Sequence, residues 1–360
     1  MGFPPGRQPP PLEVSKEDNM GEKRQTEEKK GLVAWAKSRK GQQFFTIAGF
    51  MIIPLSLLLI FTYFPFAEMV KFSFYKMKYT TPVDRRIFVG WQNYLDVFRR
   101  SDCFGALKLS IYYMVGAIIQ LFLALYLATI LSFKVKGENL FKGLMFFPYL
   151  ISGIAIGFIF KFFYTRGFVF DTVLSWCGFQ VDNLPYWLKD QAVNNWALVG
   201  TSVWRYLGQA MVLFVGAIMS VDAGMYEAAE LDGANKFQIF RYIILPSIKT
   251  IVTLNVILSI TGSLSAFEQP YVITNGANGT GTYFVIMNKI AHTNQKVGLA
   301  SAMAVVLLLI IFACTILQKL FFKYIFRNAD SEDESYAAKK ERRKMEKAKV
   351  KAARAQGKEV

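Results

Sequence analysis

At 360 residues, 53% hydrophobic and only 19% charged, with a mean hydropathy of +0.28, the chain is too apolar for a soluble domain of its length, and a membrane protein is expected. The formal net charge of +16 does not point to nucleic acid, because the basic residues gather in the tails and short connectors instead of alternating with aromatics on one face. No Gly-x-x-x-x-Gly-Lys-[Ser/Thr] occurs, so the chain has no P-loop, and ATP-driven work falls to a partner.

Residues 1–43 are rich in Pro, Gly, Lys and Glu with little apolar periodicity, the composition of a largely disordered tail. The first apolar run comes too late and is too long for a cleaved signal peptide. It is "FFTIAGFMIIPLSLLLIFTYFPF", Phe44 to Phe66, which at about 1.5 Å per residue crosses a hydrocarbon core of about 30 Å. Further spans are expected at Leu109–Phe133, Leu140–Tyr164, Trp196–Val221, Ile248–Phe267 and Gly298–Phe322, which gives an all-α, polytopic protein of six transmembrane helices.

Six spans put both tails on one side, and Lys and Arg near the span ends choose it. "KSRK" precedes the first span, Lys134, Lys136 and Lys142 follow the second, and Lys319, Lys323 and Arg327 follow the sixth. These ends are expected in the cytoplasm. The connector 67–107 also carries Lys and Arg, but it is the longest one, is partly balanced by Glu68, Asp84, Asp96 and Asp102, and long loops obey the rule less strictly. The tail 327–360 passes from an acidic cluster to a basic, Ala-rich run, to be read as a solvated segment or as one lying on anionic lipid.

Between the fourth and fifth spans the chain interrupts itself with "YEAAELDGANKFQIFRYIILP", residues 226–246. "YEAAEL" favours a short helix with acids in its first turn. Gly233 is suited to the positive φ that ends it. A second helix is then expected, with Phe237, Phe240 and Ile244 on one apolar face, and Pro246 stops or bends it at the fifth span. The result is a helix-turn-helix knob on the cytoplasmic side, either a plain connector or a docking element.

This stretch resembles the EAA motif of the permeases of ABC importers. "FVGWQNYLDVF", "VWRYLGQAMVLFVGAIMSVDAGMYEAAELDGA", "FEQPYVITNGANGTGTYFVIMNKIA" and "VGLASAMAVVLLL" extend the resemblance to the sugar-transporting branch, similar to the larger maltose permease subunit and the glycerol-phosphate permease. The likeness covers about 44–326, leaving only the tails outside. It implies a type I ABC importer permease fold, a coupling helix that docks on a cytoplasmic ATPase dimer through Glu227, Ala228, Ala229, Asp232, Gly233 and Phe237, a second homologous permease subunit, and an external sugar-binding protein. ATP and Mg would be bound by the ATPase partner, with no cofactor in this chain. "TNGANGTGT" departs from the Gly-Gly-Pro usual in that loop, and no large domain is inserted between the early spans.

Polar residues within spans face a cavity or a helix partner by default. On the fifth span Asn255, Ser259, Ser263 and Phe267 recur every four residues and share one face, which serves either helix packing or hydroxyl binding and stacking on a sugar ring. The resemblance places Ser259 and Ser263 at the sugar site. The fourth span adds Ser202, Arg205, Tyr206 and Gln209. Arg205 demands a partner, with Glu268 as the candidate and a bound acidic sugar as the alternative. Gln120 is open between packing and pore lining. His292 reads as a surface residue, and Cys103, Cys177 and Cys314, without metal-ligand spacing, as packing residues. No nucleophile, base or metal cluster suggests enzyme activity. The rivals to a carbohydrate import permease are an ion-driven secondary transporter, which would want central carboxylates, and a membrane scaffold or receptor, which would want no polar path.

Overall fold

The computed structural model describes residues 38–133 and 135–324. The tail expectations for 1–37 and 325–360 lie outside the described residues. The chain divides after Met69 into two compact units. The first is built on a helix, α1, Arg39–Phe72, which begins four residues before the last position of the expected tail. Ser38 caps it, its Oγ accepting from the Gly41 N–H at 3.2 Å. Within it Leu59–Tyr63 forms a π-turn, closed by the Phe64 N–H on the Leu59 carbonyl. Pro65 follows directly; it has no N–H, and its ring crowds the carbonyl four residues back, so the widened turn absorbs the misfit.

The second unit starts with a two-residue antiparallel pairing, β1 (Tyr75–Lys76) on β2 (Ile87–Phe88), with Tyr75 opposite Phe88. Everything else of size is helical. α2 (Gln92–Arg99) leads to α3 (Leu107–Leu131). α4 (Glu138–Leu150) and α5 (Gly153–Phe163) follow, then the short α6 (Val169–Trp176) and the long α7 (Asn194–Met219). After the interruption come α10 (Lys249–Leu264) and α11 (Glu268–Thr274), then α12 (Tyr283–Asn288) and α13 (Val297–Tyr324), with α8 and α9 reserved for the interruption itself. Among the described residues five helices are long and apolar enough to cross a membrane, and six if a bent pair counts as one.

That bent pair corrects the third expected span. Leu140–Tyr164 is not one straight helix: α4 and α5 meet at 97°. Pro148 withdraws a backbone donor near the end of α4, and Ile151 and Ser152 are extended with ψ of 139° and 134°, so the helical ladder cannot pass through. The fifth span is also interrupted. α10 ends at Leu264, the backbone bends through Ser265 and Phe267, and α11 carries on to Thr274, seven residues beyond the expected end. In the loop after it Asn275, Gly276, Asn278 and Gly279 all have positive φ, conformations that Gly and Asn tolerate best, and this is how "TNGANGTGT" turns without a proline.

α7 is the central post, against which α3 and α4 pack. Where α7 crosses α4, a Cβ on Gly208 would run into the Met145 backbone, so the close approach depends on that glycine. Apolar clusters hold the two ends. One gathers Leu121, Ala128, Met211, Phe214, Ile239 and Ile244; the other gathers Val97, Cys103, Leu264, Tyr283 and Met303, with the Tyr283 hydroxyl donating to the Met303 carbonyl at 2.9 Å. At the latter end Asp171, 1% exposed, accepts from Gly167 N–H and Trp187 Nε1–H, both at 2.7 Å. Arg166 donates to the carbonyls of Val181 and Leu184, so the connector between α6 and α7 is tied down at both flanks.

Candidate functional site

A cavity of about 440 Å³ opens between α3, α7, α10 and the start of α11, within the size range of small-molecule sites. Its wall includes Ser202, Tyr206 and Gln209 from α7 and Asn255, Ser259 and Ser263 from α10, with Phe267 beside them. The face read from four-residue spacing on the fifth span is therefore the face turned to the cavity. Gln120 of α3 also lines it, so of its two readings the structure takes pore lining. Back-bonding explains how these groups sit in an apolar helix. Ser263 Oγ donates to the Ser259 carbonyl at 2.8 Å, Ser202 Oγ to Leu198 at 3.3 Å, and Asn255 Nδ2 to Ile251 at 2.9 Å. The oxygens keep acceptor capacity for a ligand hydroxyl. One face of the Phe267 ring is stacked on Tyr271, centroids 4.7 Å apart.

Arg205 stands behind that wall. Its side chain is 10% exposed, and its Nη1 donates to Glu268 Oε2, so of the two partners considered for it the structure shows the carboxylate. The guanidinium also lies over the Tyr206 ring, 5.0 Å from its centroid. Glu268 sits at the head of α11 and touches the beginning of α5: a Cβ on Gly153 would collide with its carboxylate and with Arg205. A helix N-terminus favours a nearby negative charge, so the bend between α4 and α5 brings a third stabilising element to the pair. Gly157, one turn on, receives Val272 of α11 in the same way.

Tyr113, Glu268 and Gln269 also line the cavity and were not singled out as lining residues from sequence. Tyr113 and Gln269 are 5% and 4% exposed, and neither the Tyr113 hydroxyl nor Gln269 Nε2 has a hydrogen-bond partner among the described residues. Gln269 follows the break after α10, so no helical periodicity links it to Ser263. The Gly-x-x-x-Gly of "SGIAIGF" was the one signal for the α5–α11 contact.

The interruption between α7 and α10 forms a knob. α8, Ala223–Leu231, is capped by Asp222, whose Oδ1 accepts from Gly224 N–H at 3.0 Å. Gly233, with φ +78°, closes it: its N–H bonds to the Glu230 carbonyl at 3.0 Å and the Ala234 N–H to the Ala229 carbonyl at 2.9 Å, the paired bonds of a Schellman stop. α9, Lys236–Ile239, opens with a capping box in which Asn235 and Gln238 exchange hydrogen bonds at 2.9 and 2.8 Å. It runs straight into a π-turn, Phe240–Ile244, one residue short of Pro246, as happens before Pro65.

That π-turn corrects the expected apolar face. Phe240 and Ile244 face the core, joined by Ile239 and Ile248, but Phe237 is 73% exposed, because the face it shares points away. Glu227, Ala228, Asp232 and Gly233 are exposed, while Ala229 is half-buried against the core. Leu231, at 90% exposure, lies uncovered beside them. Tyr226 anchors α8, its hydroxyl donating to the Ile218 carbonyl at 3.3 Å, and its burial there holds the phenol pKa above the usual value. His292 is exposed and stacked on Tyr79. Of the cysteines only Cys103 is buried; Cys177 is exposed, which corrects its reading as a packing residue.

Spanning helices arranged around a polar, membrane-depth cavity define a multi-pass transport subunit. The chain belongs to the family of binding-protein-dependent transport system inner membrane components, whose pattern matches residues 120–327. It is 31% identical over 279 residues to the "Probable ABC transporter permease protein YurN" of Bacillus subtilis (strain 168), covering 76% of this chain and 94% of that one. It is 26% identical over 239 residues to the "Probable starch degradation products transport system permease protein AmyD" of Thermoanaerobacterium thermosulfurigenes, covering 66% and 80%. A chain from the crystal structure of a bacterial ABC transporter involved in the import of the acidic polysaccharide alginate shares the fold, with a TM-score of 0.69 at 16% identity over 79% of this chain and 97% of that one. The resemblance seen in the sequence holds at the level of family and fold.

Proposed function

We propose that this chain is the carbohydrate-conducting subunit of an ABC importer and passes a mono- or oligosaccharide through the α3–α7–α10 cavity by alternating access. The observation that carries the reading is the cavity wall, where amides, hydroxyls and an aromatic ring converge at membrane depth, the group set that binds a polyol. The relative named for starch degradation products points the same way.

The knob is the transmission element. Glu227, Ala228, Ala229, Asp232, Gly233 and Phe237 form the surface offered to an ATPase subunit, which holds ATP and Mg. Small alanines permit close approach, and Glu227, Glu230 and Asp232 make no ion pair among the described residues, leaving them for a basic partner. One knob serves one cleft, so an ATPase dimer calls for a second, homologous permease chain, and an external binding protein delivers the sugar. The tails and the knob lie in the cytoplasm.

Reconstituting the chain with these partners in proteoliposomes and measuring glycan-stimulated ATPase and uptake across a glycan panel tests the reading. Uptake of at least one glycan is expected. Combined Ser259→Leu and Ser263→Leu should abolish that uptake while sparing assembly, and Glu227→Lys should abolish both ATPase stimulation and uptake. Intact uptake in both variants would sink the assignment.

A further inference from the structure

We infer, resting on the carbohydrate reading, that the cavity takes uncharged sugars and rejects uronic-acid-containing ones, and that Glu268, held by Arg205, is the residue that discriminates. Glu268 is the one charged residue in the cavity wall among the described residues. Arg205, the cation at hand, is walled off: its side chain is 10% exposed against 44% for Glu268. The cavity therefore meets the carboxylate and not the guanidinium.

The pair is asymmetric in its bonding as well. Arg205 engages Oε2, and Oε1 has no hydrogen-bond partner among the described residues. An ionised carboxylate only accepts, and sugar hydroxyls donate to it readily. Two further groups without partners line the same cavity: the Tyr113 hydroxyl and Gln269 Nε2, both on side chains more than nine-tenths buried. A buried donor without a partner is costly, and a polyol that offers both donors and acceptors satisfies all three groups. A uronate instead brings a second negative charge toward Glu268 in a poorly screened setting, where like charges repel strongly. The fold shared with the alginate importer carries no substrate information at 16% identity, so an acidic glycan does not follow from it.

Gly262 supplies the probe position. It lines the cavity, and a Cβ there meets nothing within 4 Å. The full-length chain, co-purified with its partner subunits in nanodiscs and carrying Cys177→Ser and Gly262→Cys, is labelled with a maleimide in the presence of neutral trisaccharides of glucose, galactose, xylose or arabinose, or of trigalacturonate. At least one neutral trisaccharide should slow labelling about tenfold, and trigalacturonate should not. Glu268→Gln, which frees the Arg205 charge, should weaken the neutral protection and let trigalacturonate protect. Adding Arg205→Met to Glu268→Gln should remove that gained protection. Protection by trigalacturonate in the Glu268 protein overturns the inference while leaving the carbohydrate reading standing, and this arm does not depend on any charge variant folding. An unchanged preference in Glu268→Gln also overturns it. Protection by no glycan of either kind overturns the carbohydrate reading itself.

Discussion

Gly233 shows how much of the knob rests on single positions. Its φ of +78° lies where a Cβ costs about 1–2 kcal/mol, and that conformation aims two N–H groups back at the α8 carbonyls. Gly233→Val should leave membrane insertion intact and lower glycan-stimulated ATPase several-fold, because α8 loses its fixed exit angle; an ATPase rate equal to wild type refutes this. Gly208 is constrained from outside instead. Its neighbour is the Met145 backbone, which cannot swing aside as a flexible side chain would. Gly208→Leu should therefore destabilise by about 1–3 kcal/mol through overpacking, read as a lower Tm of the purified protein. Gly216, in the same helix with nothing within 4 Å of a Cβ, is the control: Gly216→Ala should hold or raise Tm through helix propensity.

At the scale of elements, both π-turns stand one residue before a proline's neighbour, at Leu59–Tyr63 before Pro65 and at Phe240–Ile244 before Pro246. Each inserts an extra residue per turn and rotates everything upstream relative to everything downstream. In the knob that rotation turns Phe237 outward while Ile244 stays fully buried. Pro246→Ala restores the missing donor and should let the π-turn relax to α. The expected result is impaired coupling, measured as ATP hydrolysed per sugar imported, with little change in Tm. An unaltered ratio argues against the π-turn as the element that sets the knob's aim.

For the whole molecule, α7 and α10 connect the cavity to the knob without a flexible link: both helices line the cavity, and both contribute to the cluster that grips Ile239 and Ile244. A displacement of the knob is thereby passed to the cavity wall through packed side chains, which is the physical requirement for ATP-driven alternating access. The proposed orientation puts the exposed Cys177 outside and the knob inside. A membrane-impermeant maleimide applied to intact cells should label Cys177, whereas Glu230→Cys in a Cys177→Ser background should react only after the membrane is opened. The opposite pattern inverts the topology.

The sequence by itself determined what depends on neighbours along one helix. Span positions follow from runs of apolar residues, the cavity face of α10 from four-residue spacing, and the two-helix knob from "DG" and its flanking caps, because propensity, capping and periodicity are local. Arg205 and Glu268 were pairable from the same reasoning, since a cation in a span demands an anion. The tertiary structure alone decided the rest. The 97° bend in the third span, the outward turn of Phe237 and the recruitment of Tyr113 and Gln269 to the cavity depend on breaks in the helical ladder and on which helices meet across it. A fixed period of 3.6 residues does not survive such breaks, so residues beyond one share a surface only through packing.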